Sequence, residues 1–273
     1  MTPLRLEAPA KLNVGLRVLG RRDDGMHLLD SELVLLELAD GLLLMPGSSG
    51  LRVSGESGSG LPLGKDNLAW RGLLAALGGE PETACLALEK RIPVAAGLGG
   101  GSSDAAAAWR LGRAWSGLSD VPTAEQLVEL GAIGADVPFF AAGIAAGRVG
   151  GIGERVESVE PRERHVVLAH APFGLSTADV FAELRPDEWG ALENDLLAPA
   201  RRLRPELDAI FAAAAAAGGQ PRLSGSGPTV FSLADDRQHA AAIAAGIERA
   251  GIRATITRTR TRPAAIRAID EEE

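Results

Sequence analysis

The segment Ile92–Ala108, IPVAAGLGGGSSDAAAA, constrains what this chain can fold into more than any other. Four of the five residues from Gly97 to Gly101 are glycine. A strand-like stretch precedes them, and Ser102, Ser103 and Asp104 lead into alanines that read as helix. Glycine lets backbone N–H groups approach a ligand without a Cβ in the way. A helix start adds unpaired donors and a partial positive charge. Together these make an anion cradle, whose usual occupant is phosphate. It is neither of the two common cradles: no lysine follows the glycines as a P-loop requires, and the dinucleotide fingerprint fails at its sixth position, Ser102. A glycine-rich turn capped by Ser or Asp would also account for the stretch taken alone.

At 273 residues the chain has length for one large domain or two medium ones. Its formal net charge of −8 argues against broad nucleic-acid binding, which needs a basic face, but leaves room for phosphate held by backbone amides. The opening MTPLRLEAPAKLNV has no apolar signal core, and no 18 apolar residues run together. A single cysteine, Cys85, excludes an internal disulfide and suits a reducing compartment. The expectation is therefore a cytoplasmic protein with a small-molecule substrate and no nucleic-acid or membrane partner, a monomer or weak homodimer. The acidic end, 270–273, reads as a solvated tail.

The basic residues are 25 Arg and only three Lys: Lys11, Lys65 and Lys90. Such a chain keeps lysine mainly where Arg's planar fork will not serve. Asparagine is equally scarce, at Asn13, Asn67 and Asn194, and two of the three sit two residues after a lysine.

Leu4–Leu19 alternates as a strand, placing Lys11 and Asn13 on one side about 6–7 Å apart. Further strands are expected near Glu32–Leu38, Leu42–Met45, Leu51–Val53 and Cys85–Lys90. Helices are expected over Asn67–Leu77, Ser103–Trp115 and Thr123–Leu130, and a short one in GADVPFF (Gly134–Phe140). The glycines from Gly147 to Gly153 mark a boundary. Beyond it, strands are expected at His165–Ala169, Thr229–Leu233 and Ile252–Thr257. Helices there are expected over Ala178–Glu183, Pro205–Ala217 and Asp235–Ala250. Strands and helices mix without regular βαβ repetition, so the class is α+β. Asp136, taken alone, reads as a helix N-cap. His165, His170 and His239 have no metal-ligand spacing.

Six motifs stand in order: APAKLNVGL (8–16), RRDDGMH (21–27), KDNL (65–68), EKRIPVAAGLGGGSSDAA (89–106), GADVPFF (134–140) and LSGSGPTVF (223–231). Their set resembles the GHMP kinase superfamily of small-molecule phosphotransferases. The DG-x-H turn and GADVP resemble those members that phosphorylate a cytidine diphosphate-linked polyol. The resemblance implies a two-domain GHMP kinase fold, with an N-terminal ATP-binding domain of ribosomal-protein-S5-domain-2-like form over 1–152. A ferredoxin-like C-terminal domain over 153–273 would close the cleft. It also implies that Lys11 and Asp136 form the catalytic pair. Pro93, Val94, Ala95, Ala96, Gly97, Leu98, Gly99, Gly100, Gly101, Ser102 and Ser103 would wrap the ATP phosphates, with Asn67 and Lys90 near adenine. A hydroxyl of Ser102 or Ser103 would join the Mg²⁺ shell. Asn13, His27, Thr177, Phe181 and Asp195 would meet the substrate. The family commonly has Tyr before that histidine, stacked on cytosine; this chain has Met26 there and no tyrosine. A thioether can still contact a ring face, for about 0.3–1.5 kcal/mol. Two alternatives stay open: another GHMP kinase, acting on homoserine, mevalonate or a sugar, and a non-catalytic nucleotide-binding protein on the same scaffold.

Overall fold

The computed structural model describes residues 2–269, so the acidic end lies outside the described residues. Two long strands, β1 (Leu4–Arg21) and β2 (His27–Pro46), pair antiparallel as the spine of the first sheet. At 20 residues, β2 is long enough to serve two neighbours. Its first half pairs with β5 (Ala146–Gly151) and its second half with β4 (Ala84–Glu89). The stretches expected as separate strands at 32–38 and 42–45 are thus one element, because Asp40 and Gly41 continue the ladder instead of turning. Parallel to β4 runs β3 (Gly50–Ser54), and β6 (Arg155–Ser158) adds to β5.

A second, four-stranded sheet contains β7 (His165–His170), β8 (Arg222–Leu223), β9 (Val230–Ala234) and β10 (Arg253–Arg258), in the order β10-β7-β9-β8. Near its end the chain returns to the first sheet, where β11 (Arg267–Ala268) pairs with β1. Neither β6 nor β11 has enough apolar alternation to be read from the sequence. The β5–β6 hairpin straddles the expected division at 152/153, so the chain leaves the first sheet later, across 159–164.

Helices α1 (Leu68–Leu77) and α2 (Gly100–Trp115) cover one face of the first sheet; Trp70, Leu73, Ala107 and Leu111 pack onto Leu6, Leu42, Leu44 and Leu86. Next come α3 (Ala124–Gly131), opened by a Thr123–Gln126 capping box, and α4 (Val137–Ala141), which seals Phe139 against Leu33 and Trp109. On the second sheet lie α5 (Thr177–Glu183), α6 (Leu197–Leu203), α7 (Leu207–Ala216) and α8 (Arg237–Arg249). Sequence reading passes over α6 because Pro199 sits in its first turn and two arginines break its apolar face.

The seam between the sheets is apolar: Ala10, Leu12, Leu36, Ile92 and Leu98 meet Val166, Leu168 and Phe231, all buried. Lys11 and Asn13 alternate with Ala10 and Leu12 along β1, so the strand that closes this seam also delivers the polar pair to its edge.

Candidate active site

A cavity of about 530 Å³ opens at that edge. Every residue from Pro93 to Ser102 lines it. The loop is fastened from both sides. On one, the Lys11 N–H of β1 donates to Leu98 O at 2.9 Å. On the other, the SGSGP loop (224–228) and the residue after it grip it: Ser224 Oγ donates to Gly97 O at 3.0 Å, and Thr229 N–H to Ala96 O at 3.3 Å. Gly97 has φ +74°, and a Cβ there would stand 2.6 Å from the carbonyl oxygens of Ser224 and Gly227. Gly99, at φ +70°, occupies the N-cap of α2 and so brings no side chain to cap it. The first amides of a 16-residue helix therefore face the cavity without a side-chain acceptor, which is the arrangement an anion needs. The helix begins at Gly100, three residues before its expected start, so the last two glycines belong to its first turn.

Lys11 and Asp136, 125 positions apart, converge here, with Nζ 3.6 Å from Oδ2. The ammonium is buried and also donates to Asn13 Oδ1 at 2.5 Å and Gly97 O at 3.0 Å. Asp136 stands at the N-cap of α4 but makes no capping hydrogen bond, and its side chain is 38% exposed toward the cavity. Helix capping, the ordinary reason for an aspartate at this position, does not account for it.

Beneath the loop, Lys90 carries a different load. Its ammonium, also cavity-lining, donates to Asp40 and, at 2.7 Å, to Asp104 Oδ2; all three side chains are buried. Asp40 Oδ1 in turn accepts the backbone N–H groups of Arg91 (2.6 Å) and Ile92 (2.9 Å). Burial, opposed by the Lys90 charge and reinforced by that of Asp40, pushes the Asp104 carboxyl up to about 8. Lys90 is itself raised, its two carboxylates outweighing the cost of burial. Expected beside adenine, it works as the tie between β2, the end of β4 and α2. Asn67 lines the cavity as the N-cap of α1, its Oδ1 accepting from Ala69 N–H and its Nδ2 donating to Pro62 O.

Four expected contacts sit elsewhere. The Ser103 hydroxyl is buried away from the cavity without a partner, because one residue along a helix turns the side chain by about 100°. Ser102 alone of the two lines the cavity. Asp195 is fully buried, and its carboxylate is consumed by three backbone N–H groups: Val18 (2.7 Å), Gly190 (2.7 Å) and Leu192 (3.0 Å). It pins the 190–195 loop to β1 and lies outside the cavity lining. Met26 is 45% exposed on the β1–β2 turn, outside the lining. His27 is also outside the lining, stacked on the cavity-lining Phe181 at 5.1 Å with Trp189 edge-on at 6.2 Å. Burial and the nearby Arg21 charge lower the His27 pKa, so its imidazole is neutral at pH 7, with one donor and one acceptor nitrogen. Thr177 lines the cavity, its hydroxyl 2.8 Å from Ser226 Oγ.

Sequence reasoning assigned no role to Ser31, Ser226 or Asn194. Asn194 Nδ2 donates to Leu223 O and Gly225 O, bracing the SGSGP loop. Its signal was scarcity, since it is the third asparagine of the chain. Ser226 had its place in the LSGSGPTVF motif as a signal, whereas Ser31 lies outside the six motifs and had none.

A glycine loop at an uncapped helix start, faced by a lysine–aspartate pair and a second small-residue loop, is a phosphoryl-transfer site. The chain belongs to the GHMP kinases: the family's N terminal domain matches residues 67–144 and its C terminal part residues 178–253. Within that family it is similar to 4-diphosphocytidyl-2-C-methyl-D-erythritol kinase of Pelotomaculum thermopropionicum, 38% identical with 92% of this chain and 96% of the relative covered. The same enzyme of Paramagnetospirillum magneticum is 38% identical over 90% of this chain and 94% of its own. A crystal structure of 4-(cytidine 5'-diphospho)-2C-methyl-D-erythritol kinase superposes with a TM-score of 0.78 at 35% identity, covering 93% of this chain and 98% of the other. Homoserine kinase from Cytophaga hutchinsonii shares the fold at 17% identity and TM-score 0.63, with 98% of both chains covered.

Proposed function

We propose that this chain transfers the γ-phosphoryl group of ATP to the 2-hydroxyl of 4-diphosphocytidyl-2-C-methyl-D-erythritol, a cytoplasmic step of non-mevalonate isoprenoid biosynthesis. The observation that carries the reading is the Lys11–Asp136 pair beside the uncapped start of α2.

Complete proton transfer from an alcohol to a carboxylate before phosphoryl transfer is uphill by about 12 pK units, roughly 16 kcal/mol. A loose transition state does not require it, since the hydroxyl becomes acidic only as the new P–O bond forms. Asp136 therefore positions the hydroxyl and takes its proton late. Lys11, buried and 3.6 Å away, holds that carboxylate in place and offsets charge on the attacking oxygen. At about 4 Å and an effective dielectric of about 20 such a pair is worth roughly 4 kcal/mol before desolvation. The amides of 97–102 would cradle the phosphates, and Asn67, which lines the same cavity, would lie near adenine.

Among the described residues no group of three or more His, Cys, Asp or Glu is placed to hold a metal ion. The donor set suits Mg²⁺ arriving with the nucleotide, which keeps its waters and phosphate oxygens and asks little of the protein. Ser102 is the residue that would touch it, and the ion would neutralise charge between the phosphates. On the acceptor side, Phe181, backed by the stacked His27, would form the aromatic wall for cytosine, and Thr177 and Asn13 would meet the polyol.

Purified protein incubated with ATP, Mg²⁺ and each candidate alcohol tests the proposal. Turnover of the cytidylyl substrate alone supports it. Turnover of homoserine, mevalonate or a sugar in its place would assign a different GHMP kinase, and nucleotide binding without any turnover would leave a non-catalytic protein.

A further inference from the structure

We propose that Ser31 is a positioning residue for Lys11, acting through the side-chain amide of Asn13; the catalytic part of this rests on the kinase reading above. Three hydrogen bonds run in series. Lys11 Nζ donates to Asn13 Oδ1 at 2.5 Å, Asn13 Nδ2 donates to Ser31 Oγ at 2.8 Å, and Ser31 Oγ donates to Gly15 O at 2.6 Å. Lys11, Asn13 and Ser31 are all buried.

The direction of the chain is forced from its far end. A serine hydroxyl has one proton, and a carbonyl oxygen can only accept. With that proton spent on Gly15 O, Ser31 Oγ has only lone pairs to show Asn13. The asparagine must therefore turn its NH₂ to Ser31 and its oxygen to Lys11. The opposite amide orientation would set two N–H donors against an ammonium and an amide oxygen against serine lone pairs.

The backbone arranges the anchor. β1 carries a bulge between Asn13 and Gly15, where the pairing with β2 slips by one residue. Bulges re-aim side chains and free ladder groups. Here the Gly15 carbonyl takes the Ser31 hydroxyl, and Lys11 and Asn13 share one side of the strand. Fixing the amide gives the ammonium a rigid acceptor opposite Gly97 O, leaving its third direction for Asp136.

The test combines kinetics with an activity-independent signal. ¹⁵N-asparagine labelling gives only three side-chain amide pairs, because the chain has three asparagines. In the wild type the Asn13 pair should exchange slowly with solvent. Ser31→Ala should speed that exchange about tenfold or more, lower kcat about tenfold and leave KM for ATP within about twofold. Ser31→Thr, which keeps the hydroxyl, should restore both. In an Asn13→Ala background, Ser31→Ala should have no further effect on kcat, since the path through the amide is already gone. Should the alanine variant fold poorly, Ser31→Cys serves, being nearly isosteric with a weak donor. Unchanged Asn13 exchange in the variant overturns the proposal whatever the turnover. So does an equal loss of kcat with and without Asn13, or a failure of threonine to rescue. A wild type that does not phosphorylate the cytidylyl substrate refutes the kinase reading, while the exchange measurement still decides the role of Ser31.

Discussion

Replacing Lys90 by methionine removes the one cation between two buried carboxylates, Asp40 and Asp104. Breaking a buried pair by deleting one partner costs about 3–5 kcal/mol, because a desolvated charge is left uncompensated. Domains are stable by about 5–15 kcal/mol, so the loss takes a large share. For a fold of this size it corresponds to a fall in melting temperature of about 6–20 °C. The loss should depend on pH, and its sign follows from Asp104. A carboxyl whose pKa is raised to about 8 in the folded chain binds its proton more tightly than in the unfolded chain, at about 3.9. Its favourable contribution is complete below about pH 4 and is lost as pH rises through about 8. At pH 6 Asp104 keeps its proton, so the variant is damaged less. At pH 9 Asp104 would face Asp40 without the Lys90 cation that lowers its pKa, so the variant is damaged more. Urea denaturation of both proteins at pH 6 and pH 9 measures this directly. A loss under about 1 kcal/mol at both values, or a larger loss at pH 6, would refute the account of the triad. Adding Asp104→Asn to the variant should recover stability at pH 9.

Three further outcomes are expected. Asp136→Asn should lower kcat by about 10²- to 10⁴-fold while thermal denaturation and ATP binding stay near wild type, since the carboxylate makes no capping bond. Gly97→Ala should weaken ATP binding at least about tenfold by calorimetry, because its Cβ would collide with two carbonyl oxygens at a positive φ. Met26→Tyr should leave the melting temperature unchanged, the side chain being 45% exposed, and should lower or preserve KM for the cytidylyl substrate.

Much of this molecule was legible in local pattern. The glycine run, the alanines behind it and the alternation of β1 follow from chain stereochemistry and periodicity, which act over a few residues. The scarcity of lysine and asparagine drew attention to Lys11, Asn13, Asn67 and Lys90, which line the cavity, and to Lys65, which does not: it is exposed and pairs with Glu80 at 3.5 Å. Other matters were settled only by residues distant in the chain. Asp195 and Lys90 both read as ligand contacts in one dimension. Their charged atoms are taken up by Val18, Gly190 and Leu192 in one case and by Asp40 and Asp104 in the other. Ser102 and Ser103 are equivalent in the sequence, and only the phase of α2 against β1 and β2 separates them. Ser31 is an unremarked serine until the bulge in β1 brings a carbonyl to its hydroxyl. The reason is common to all of these. A propensity is a property of neighbouring residues, whereas a hydrogen-bond or charge partner is chosen by packing, after elements far apart in the chain have met.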